Sequence, residues 1–140
     1  MDAQALTGYI RQGIRKEVYA DRIELYLPFF FGNGESEPLC LIWDRKGTLS
    51  DGGRTFAELK KRVDDPTPYQ TSIQNILRSL GMVTLESGHK LVVRHFQTCY
   101  SGEKVYLDYL GGLSRMLRAI SLISIVDTVT VDKDGVVHLC

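Results

Sequence analysis

The chain contains few of the residues that hold small domains together through covalent or metal bonds. Its 140 residues include only three cysteines, Cys40, Cys99 and Cys140, which are odd in number and far apart. Since no C-x-x-C pair occurs, the sequence predicts reduced thiols rather than a disulfide framework. The three histidines include no pair spaced four residues apart, and His138 with Cys140 is a weak metal-binding pattern. We therefore expect no metal site and no cofactor.

An excess of charge and long apolar runs are also missing. Seventeen basic residues balance seventeen acidic ones, which argues against a dominant polyanion-binding role but is compatible with a local basic patch and with self-association into a homo-oligomer. The longest apolar segment, residues 120–126, is too short to cross a bilayer. The first residues have neither the basic flank nor the apolar run of a signal peptide. We therefore expect a cytoplasmic protein of the bacterial type with no membrane partner.

What the chain does have is an apolar fraction of 44%, which is enough to build one packed domain over residues 1–140. In residues 2–19, apolar side chains recur every three or four positions, and this spacing predicts an amphipathic helix. Alternating apolar and polar residues then predict three strands. These strands lie at 22–27, 39–43 and 48–50. The short links between them favour an antiparallel meander.

Two helices are predicted next, each with its own capping residue. The first begins at Thr55, with Glu58 completing a capping box, and the second follows a cap at Thr67. Gly81 is a favourable stop for the second helix. A β-hairpin with strands at 83–85 and 91–93 follows this stop.

The last part of the chain is predicted to contain a long helix and a hairpin. The helix is capped by Ser101 and runs to about Asp127, and Gly111 and Gly112 interrupt it either as a weak point or as a place where another element packs closely. Residues 128–140 alternate around a polar turn and predict the closing hairpin. The expected class is α+β: antiparallel strands with packed helices, a helix–helix–hairpin segment of the winged-helix kind and a long C-terminal helix.

The glycine turn at residues 49–59 carries a resemblance to a known family. It reads Leu-Ser-Asp-Gly-Gly-Arg-Thr-Phe-Ala-Glu-Leu and sits between the predicted strands and helices. With these neighbours, residues 5–127 resemble an uncharacterised bacterial and prophage family, the domain of unknown function numbered eighteen twenty-eight. Ser50 and Gly52 stand where that family usually has Thr and a second Asp. The resemblance implies an architecture and a mobile-element setting, but no functional residue.

The leading hypothesis for function is a protein contact made by an aromatic run. Phe29, Phe30 and Phe31 are consecutive, and side chains alternate between the faces of a strand, so at least one ring is expected to point away from the core. An outward ring is a common anchor for a protein partner; the alternative is that the long helix covers that face. Asp51 and Arg54 are the polar candidates for the same partner. The alternative for Asp51 is a hydrogen bond to its own turn.

Together with the mobile-element setting, this run suggests a non-enzymatic protein-interaction module that interferes with or modulates a defence system. The sequence offers no convergent set of nucleophile, base and metal ligands, so we assign no catalytic residue. The identity of the protein partner is not indicated.

A DNA-binding regulator is the first alternative, because two helices followed by a two-stranded wing outline a winged helix. Basic residues on the helices and the wing would neutralise phosphates. These cations are Lys60, Lys61, Arg62, Arg78, Lys90 and Arg94. The second helix is expected to expose Gln70, Ser72, Gln74 and Asn75 beside its single cation.

A metal-dependent nuclease is the second alternative. Strand carboxylates such as Glu24 and Asp44 would bind Mg²⁺, and Lys46 would steady the attacking water. The spacing of these residues is loose, and the Asp-Arg-Lys-Gly run is also typical of a polar turn.

Overall fold

The protein folds into antiparallel strands and packed helices, so the predicted α+β class is confirmed. The structure, a computed structural model, describes residues 15–28, 31, 37–44, 46–94 and 103–139, with the backbone alone for 103–110. The strands are β1 Arg15–Val18, β2 Arg22–Leu27, β3 Leu39–Asp44, β4 Leu49–Ser50, β5 Val83–Glu86, β6 Lys90–Val93, β7 Val129–Val131 and β8 Val137–Leu139. The helices are α1 Arg54–Lys60, α2 Gln70–Leu80 and α3 Glu103–Ser124, with a 3-10 turn over Thr67–Tyr69.

Six of these strands form one antiparallel sheet in the order β1-β2-β3-β4-β6-β5. The predicted meander of β2, β3 and β4 is confirmed. The chain then leaves the sheet for α1 and α2 and returns as the β5–β6 hairpin. Strand β6 pairs with β4, placing Leu49 opposite Val93, while β5 forms the outer edge. Strands β7 and β8 make a separate two-stranded sheet.

The core lies between one face of the large sheet and the three helices. Leu25 pairs with Leu41, and Leu27 pairs with Leu39, so the apolar positions of β2 and β3 share one face. Helices α1 and α3 pack against β6 on this side. From α3 the buried residues are Leu113, Met116, Ala119, Ile120 and Ile123, which recur at helical spacing.

The opposite face of the sheet is largely polar. The strand at one edge, β1, comes from the end of the segment predicted as the first helix. That prediction is wrong for Arg15–Val18, which form β1 beside β2; residues 2–14 lie outside the described part. The Arg15 guanidinium lies 4.4 Å from the centre of the Tyr26 ring on the neighbouring strand. Pairing with a free strand edge therefore outweighs the local helical periodicity.

The capping box predicted for α1 is also wrong. The helix begins at Arg54, after Gly53 in the left-handed conformation with φ of 82°. Glu58 does not reach back to the helix start but accepts hydrogen bonds from Arg54 at 3.2 Å and Lys61 at 3.0 Å. Within the described part of the chain, the buried Thr55 hydroxyl has no hydrogen-bond partner.

The cap predicted at Thr67 is wrong for a similar reason. Asp65 accepts hydrogen bonds from the Thr67 N–H at 3.0 Å and from its hydroxyl at 2.6 Å. The chain then passes through the 3-10 turn before α2 starts at Gln70. The predicted stop at Gly81 agrees with the end of α2, where this glycine has a φ of 68°.

Helix α3 is continuous across Gly111 and Gly112, so the two glycines are not a break in the helix, and Gly112 is buried; Ser101 lies outside the described residues. Arg115, one turn after Gly111, donates to the Leu80 carbonyl at 2.9 Å and so binds the C-terminal end of α2. None of the described helices is long and apolar enough to cross a membrane.

The predicted closing hairpin is formed by β7 and β8, and its strand β7 packs along α2. Asn75 is buried and donates its side-chain amide to the Val131 carbonyl at 2.8 Å. The Ser72 hydroxyl accepts the Val131 N–H at 3.3 Å. A methyl group added to Gly135 would lie 2.7 Å from Ser79 Cβ. The hairpin therefore fits closely against one flank of α2.

The Thr55 hydroxyl gives a direct test of how α1 begins. We expect Thr55→Val to keep or raise the free energy of unfolding, by up to about 1 kcal/mol, because valine removes a buried unpaired hydroxyl at almost constant shape. Urea denaturation measures this change, with Thr71→Val on the exposed side of α2 as the control for helix propensity. If Thr55→Val alone lowered the free energy of unfolding by about 1 kcal/mol, Thr55 would be a capping residue after all.

Candidate functional site

Asp51 forms the centre of the glycine turn and is only 2% exposed. Its Oδ1 accepts the N–H groups of Gly53 at 2.8 Å and Leu91 at 2.9 Å. Its Oδ2 accepts the Thr55 N–H at 3.2 Å. The Asp51 N–H in turn donates to the Leu91 carbonyl at 3.2 Å. The carboxylate is thus occupied by the start of α1 and by β6, and it is not open to a partner's cation.

The tip of the β5–β6 hairpin is held against α1 at the same place. A Cβ added to Gly53 would lie 3.1 Å from the Gly88 carbonyl oxygen, so the two turns approach as closely as their backbones allow. The Phe56 ring stacks on His89 with centroids 5.0 Å apart. We refer to Asp51, Gly53, Phe56, Gly88, His89 and Leu91 as the Asp51 junction. It fixes the hairpin relative to the helices.

The Asp51 junction is expected to be a major source of stability. Asp51→Asn should lower the free energy of unfolding by roughly 1–3 kcal/mol, because an amide group offers one acceptor oxygen where three buried N–H groups need partners. Asp44→Asn is the matched control, since Asp44 accepts turn N–H groups nearer the surface. Chemical denaturation of both variants measures the difference. Equal, small losses would contradict a structural role for Asp51.

The predicted aromatic surface is not supported at Phe31, which is 3% exposed and belongs to the core. The guanidinium carbon of Arg54 lies 5.4 Å from the centre of this ring. Arg54 is itself partly covered and donates to Glu58. Phe31 is therefore not the outward ring of the run, while Phe29 and Phe30 lie outside the described residues.

The residues proposed for a nuclease site are engaged in local structure. Asp44 is the last residue of β3 and accepts the N–H groups of Lys46 at 2.8 Å and Thr48 at 3.0 Å in the turn that follows. Glu24 accepts the Tyr26 hydroxyl at 3.0 Å, a hydrogen bond that raises the pKa of Tyr26. The two carboxylates share the polar sheet face but occupy different register positions.

Cysteine and histidine do not assemble into a metal site in the described part of the chain, where no group of three His, Cys, Asp or Glu residues could hold an ion. Cys40 is half-buried, and burial raises the pKa of its thiol. His138 Nε2 lies 3.0 Å from the Asp132 carboxylate. Cys99 and Cys140 lie outside the described residues.

Three of the six predicted DNA-binding cations are paired with carboxylates of the chain itself. Lys61 binds Glu58 at 3.0 Å. Arg62 binds Asp127 at 2.8 Å and also donates to the Ser124 carbonyl, which joins the end of α1 to the end of α3. The third pair is Arg94 with Glu86. These three cations are engaged by the chain's own carboxylates and are therefore poorer candidates for phosphate contacts.

The other three cations are Lys60, Arg78 and Lys90, which are exposed and form no ion pair within the described ranges. One lies on α1, one on α2 and one on β6. They are the members of the predicted set that keep their charge available to a ligand.

Helix α2 presents three different surfaces. Ile73 and Ile76 face the core. Ser72 and Asn75, which the sequence suggested were exposed, instead bind β7. The remaining stripe is uncovered and consists of Gln70, Thr71, Gln74 and Arg78. Sequence reasoning missed Thr71, although its position one turn before Gln74 and two turns before Arg78 places it on the same side of the helix.

The Arg62–Asp127 pair gives a prediction of pH dependence. Hydrogen bonds from Arg62 hold the pKa of Asp127 below its usual value. The stabilisation is therefore complete above the unfolded pKa of about 3.9 and is lost as the pH falls through the lower folded value. We expect Asp127→Asn to cost roughly 0.5–1 kcal/mol at pH 7, given the partial exposure of the pair.

The difference between the wild type and Asp127→Asn should shrink as the pH is lowered below about 4. Thermal unfolding at a series of pH values measures this trend, with the exposed Asp64→Asn as the control. A difference that stays constant down to pH 2 would contradict the assignment.

No protein-family model, curated protein or solved structure matches the chain. The resemblance to the domain of unknown function numbered eighteen twenty-eight therefore stays a prediction from its motifs. Any proposal for function has to rest on the residues of this chain.

Proposed function

We propose that the protein binds double-stranded DNA through α2 and the β5–β6 hairpin. The observation that carries the proposal is the strand–helix–helix–hairpin unit formed by β4, α1, α2, β5 and β6. Its strands lie in the order β4-β6-β5, so the first strand pairs with the second strand of the hairpin. This is the arrangement of a winged helix, in which the second helix enters the major groove.

The uncovered stripe of α2 has suitable chemistry for reading bases. Gln70 and Gln74 can form paired hydrogen bonds with adenine, and Arg78 can do so with guanine. Thr71 can bind a base edge or the methyl group of thymine. Because the core and the terminal hairpin cover the other two sides of α2, this stripe is the side that a DNA groove would meet.

The charge of the surface predicts a modest affinity. Each of three elements carries one available cation: Lys60 on α1, Arg78 on α2 and Lys90 on the hairpin. If all three neutralise phosphates, the logarithm of the binding constant should fall against the logarithm of salt concentration with a slope of about −2.7. This shallow dependence is consistent with a chain whose formal net charge is zero.

The helices differ from a standard helix-turn-helix pair in how they are supported. Helix α1 has only seven residues. Both α1 and α2 pack mainly on α3 rather than on each other. In this proposal α3 is the supporting helix, and the Asp51 junction holds the hairpin in a fixed position beside the pair.

A binding experiment with three alanine variants tests the proposal. Fluorescence anisotropy with a labelled mixed-sequence duplex of about 30 bp, roughly three helical turns, measures binding across a salt series. We expect Arg78→Ala and Lys90→Ala to weaken binding and to make the salt slope shallower by about 1 each if they contact phosphates. Arg118→Ala, which removes an exposed charge from α3, is the control.

If Arg78 reads a base instead, its variant should lose about 1–3 kcal/mol of discrimination on duplexes selected from a random library. The proposal is overturned if the wild type binds no duplex at low salt, or if Arg118→Ala weakens binding as much as Arg78→Ala does.

We keep a protein-interaction module, with an interfering or modulating role toward a defence system, as the second proposal. Its support no longer comes from Phe31 but from exposed apolar residues on the terminal hairpin, Val136, Val137 and Leu139. Pull-downs from the native host with the wild type and Leu139→Lys, compared by mass spectrometry, test whether a partner depends on this surface. Partners that are retained equally by both proteins would count against it.

A further inference from the structure

Strand β8 and Val136 directly before it carry apolar side chains that the described part of the chain leaves exposed. Leu139 is 88% exposed, Val136 is 51% exposed and Val137 is 40% exposed. All three residues of β8 are on the surface. Apolar side chains left in water at this density usually mark a contact with another molecule.

The register of the hairpin shows how this surface arises. Val137 lies opposite Val131, and Leu139 lies opposite Val129, so the four side chains share one face of the two-stranded sheet. The two valines of β7 are buried against the rest of the protein. The apolar face therefore continues beyond the body of the protein onto β8, where Val137 is partly exposed and Leu139 almost fully exposed.

Among the described strands only β7 pairs with β8, so the other main-chain edge of β8 is open within this part of the chain. The Asp132 N–H donates to the Val136 carbonyl at 3.0 Å, which makes these two residues a hydrogen-bonded pair. Because such pairs alternate along antiparallel strands, the N–H and C=O groups of Val137 and Leu139 point away from β7. They are available to a further strand.

This edge lacks the features that normally block strand addition. Natural edge strands carry charged side chains, prolines or bulges. The edges of the large sheet follow this rule, since β1 contains Arg15, Lys16 and Glu17 and β5 ends at Glu86. Residues 136–139 read Val-Val-His-Leu and contain no lysine, arginine, aspartate, glutamate or proline.

We propose that β8 pairs with β8 of a second copy of this chain to form a continuous four-stranded antiparallel sheet. The two-fold axis passes midway between the two copies of His138, so that Val137 of each copy lies opposite Leu139 of the other. In this register the outward main-chain groups of Val137 and Leu139 pair with their counterparts through four hydrogen bonds. The apolar faces of the two hairpins also become one surface.

The second copy fits this edge because the pairing is self-complementary. Each copy supplies two outward donors and two outward acceptors, and neither brings a lysine, arginine, aspartate or glutamate side chain to β8 that would repel its equivalent. The zero net charge of the chain likewise gives no overall repulsion between copies. The edge is small compared with a standard interface, so we expect a weak dimer with a dissociation constant in the micromolar range.

Cross-linking tests the register. In a background with the three native cysteines replaced by serine, His138→Cys should form an intermolecular disulfide under mild oxidation. The two positions would be a non-hydrogen-bonded pair with Cα atoms about 4.5 Å apart, within disulfide range. Thr130→Cys is the matched control. Thr130 lies opposite His138 on the same face of the hairpin, but it would be three strand spacings, about 14 Å, from its equivalent in the other copy.

A proline substitution separates pairing from folding. Val137→Pro removes an N–H that points away from β7, so the hairpin should keep its ladder while the partner strand loses a hydrogen bond and meets the ring. Sedimentation velocity at concentrations up to on the order of 100 µM should show dimerisation weakened by about tenfold or more. Leu139→Lys should have a similar effect, and thermal melting should show both variants folded.

Two results would overturn the proposal. One is a wild type that stays monomeric over the whole concentration range together with no disulfide from His138→Cys. The other is a dimer that forms unchanged in both Val137→Pro and Leu139→Lys. Neither result depends on DNA binding, because the substitutions in β8 leave the exposed stripe of α2 unchanged.

Discussion

The arrangement of the described elements depends on one buried carboxylate. Asp51 accepts N–H groups from its own turn, from the first turn of α1 and from β6. Each of these donors would cost about 1–3 kcal/mol if it were buried without a partner. The same side chain therefore decides where the helix begins, how β6 meets β4 and where the hairpin tip lies. The approach of Gly53 to Gly88 adds a steric fit that a larger residue would disrupt.

Elements governed by local sequence could be predicted well. The alternation of apolar and polar residues was enough to predict β2 and β3, because one face of each strand is buried and the other is more exposed. Gly81 marked the end of α2 because its positive φ disfavours other residues. Arg15–Val18 were assigned wrongly because the spacing within the segment contains no information about the free edge of β2, which supplies the hydrogen bonds.

The errors at the candidate site have the same origin. Thr55 and Glu58 match a capping box in sequence, but in the structure the Asp51 carboxylate accepts the Thr55 N–H at the start of α1. Asp51 is held in this place by Leu91, which is 40 residues away. Arg62 and Arg78 look equivalent as cations in the sequence. Only the fold reveals that Asp127, 65 residues later, occupies Arg62 and leaves Arg78 available. Partners at this separation cannot be recognised from spacing along the chain.

The distance along the chain between these partners also has a kinetic consequence. The links Asp51–Leu91, Asn75–Val131 and Arg62–Asp127 close loops of 40, 56 and 65 residues. Ordering such loops costs entropy before the contacts that stabilise them have formed, and chains rich in distant contacts fold slowly. The hydrogen bond from the Leu91 N–H to Asp51 can form only when a loop of 40 residues has closed. We therefore expect the glycine turn that organises the native structure to be among the later parts of the fold to become fixed.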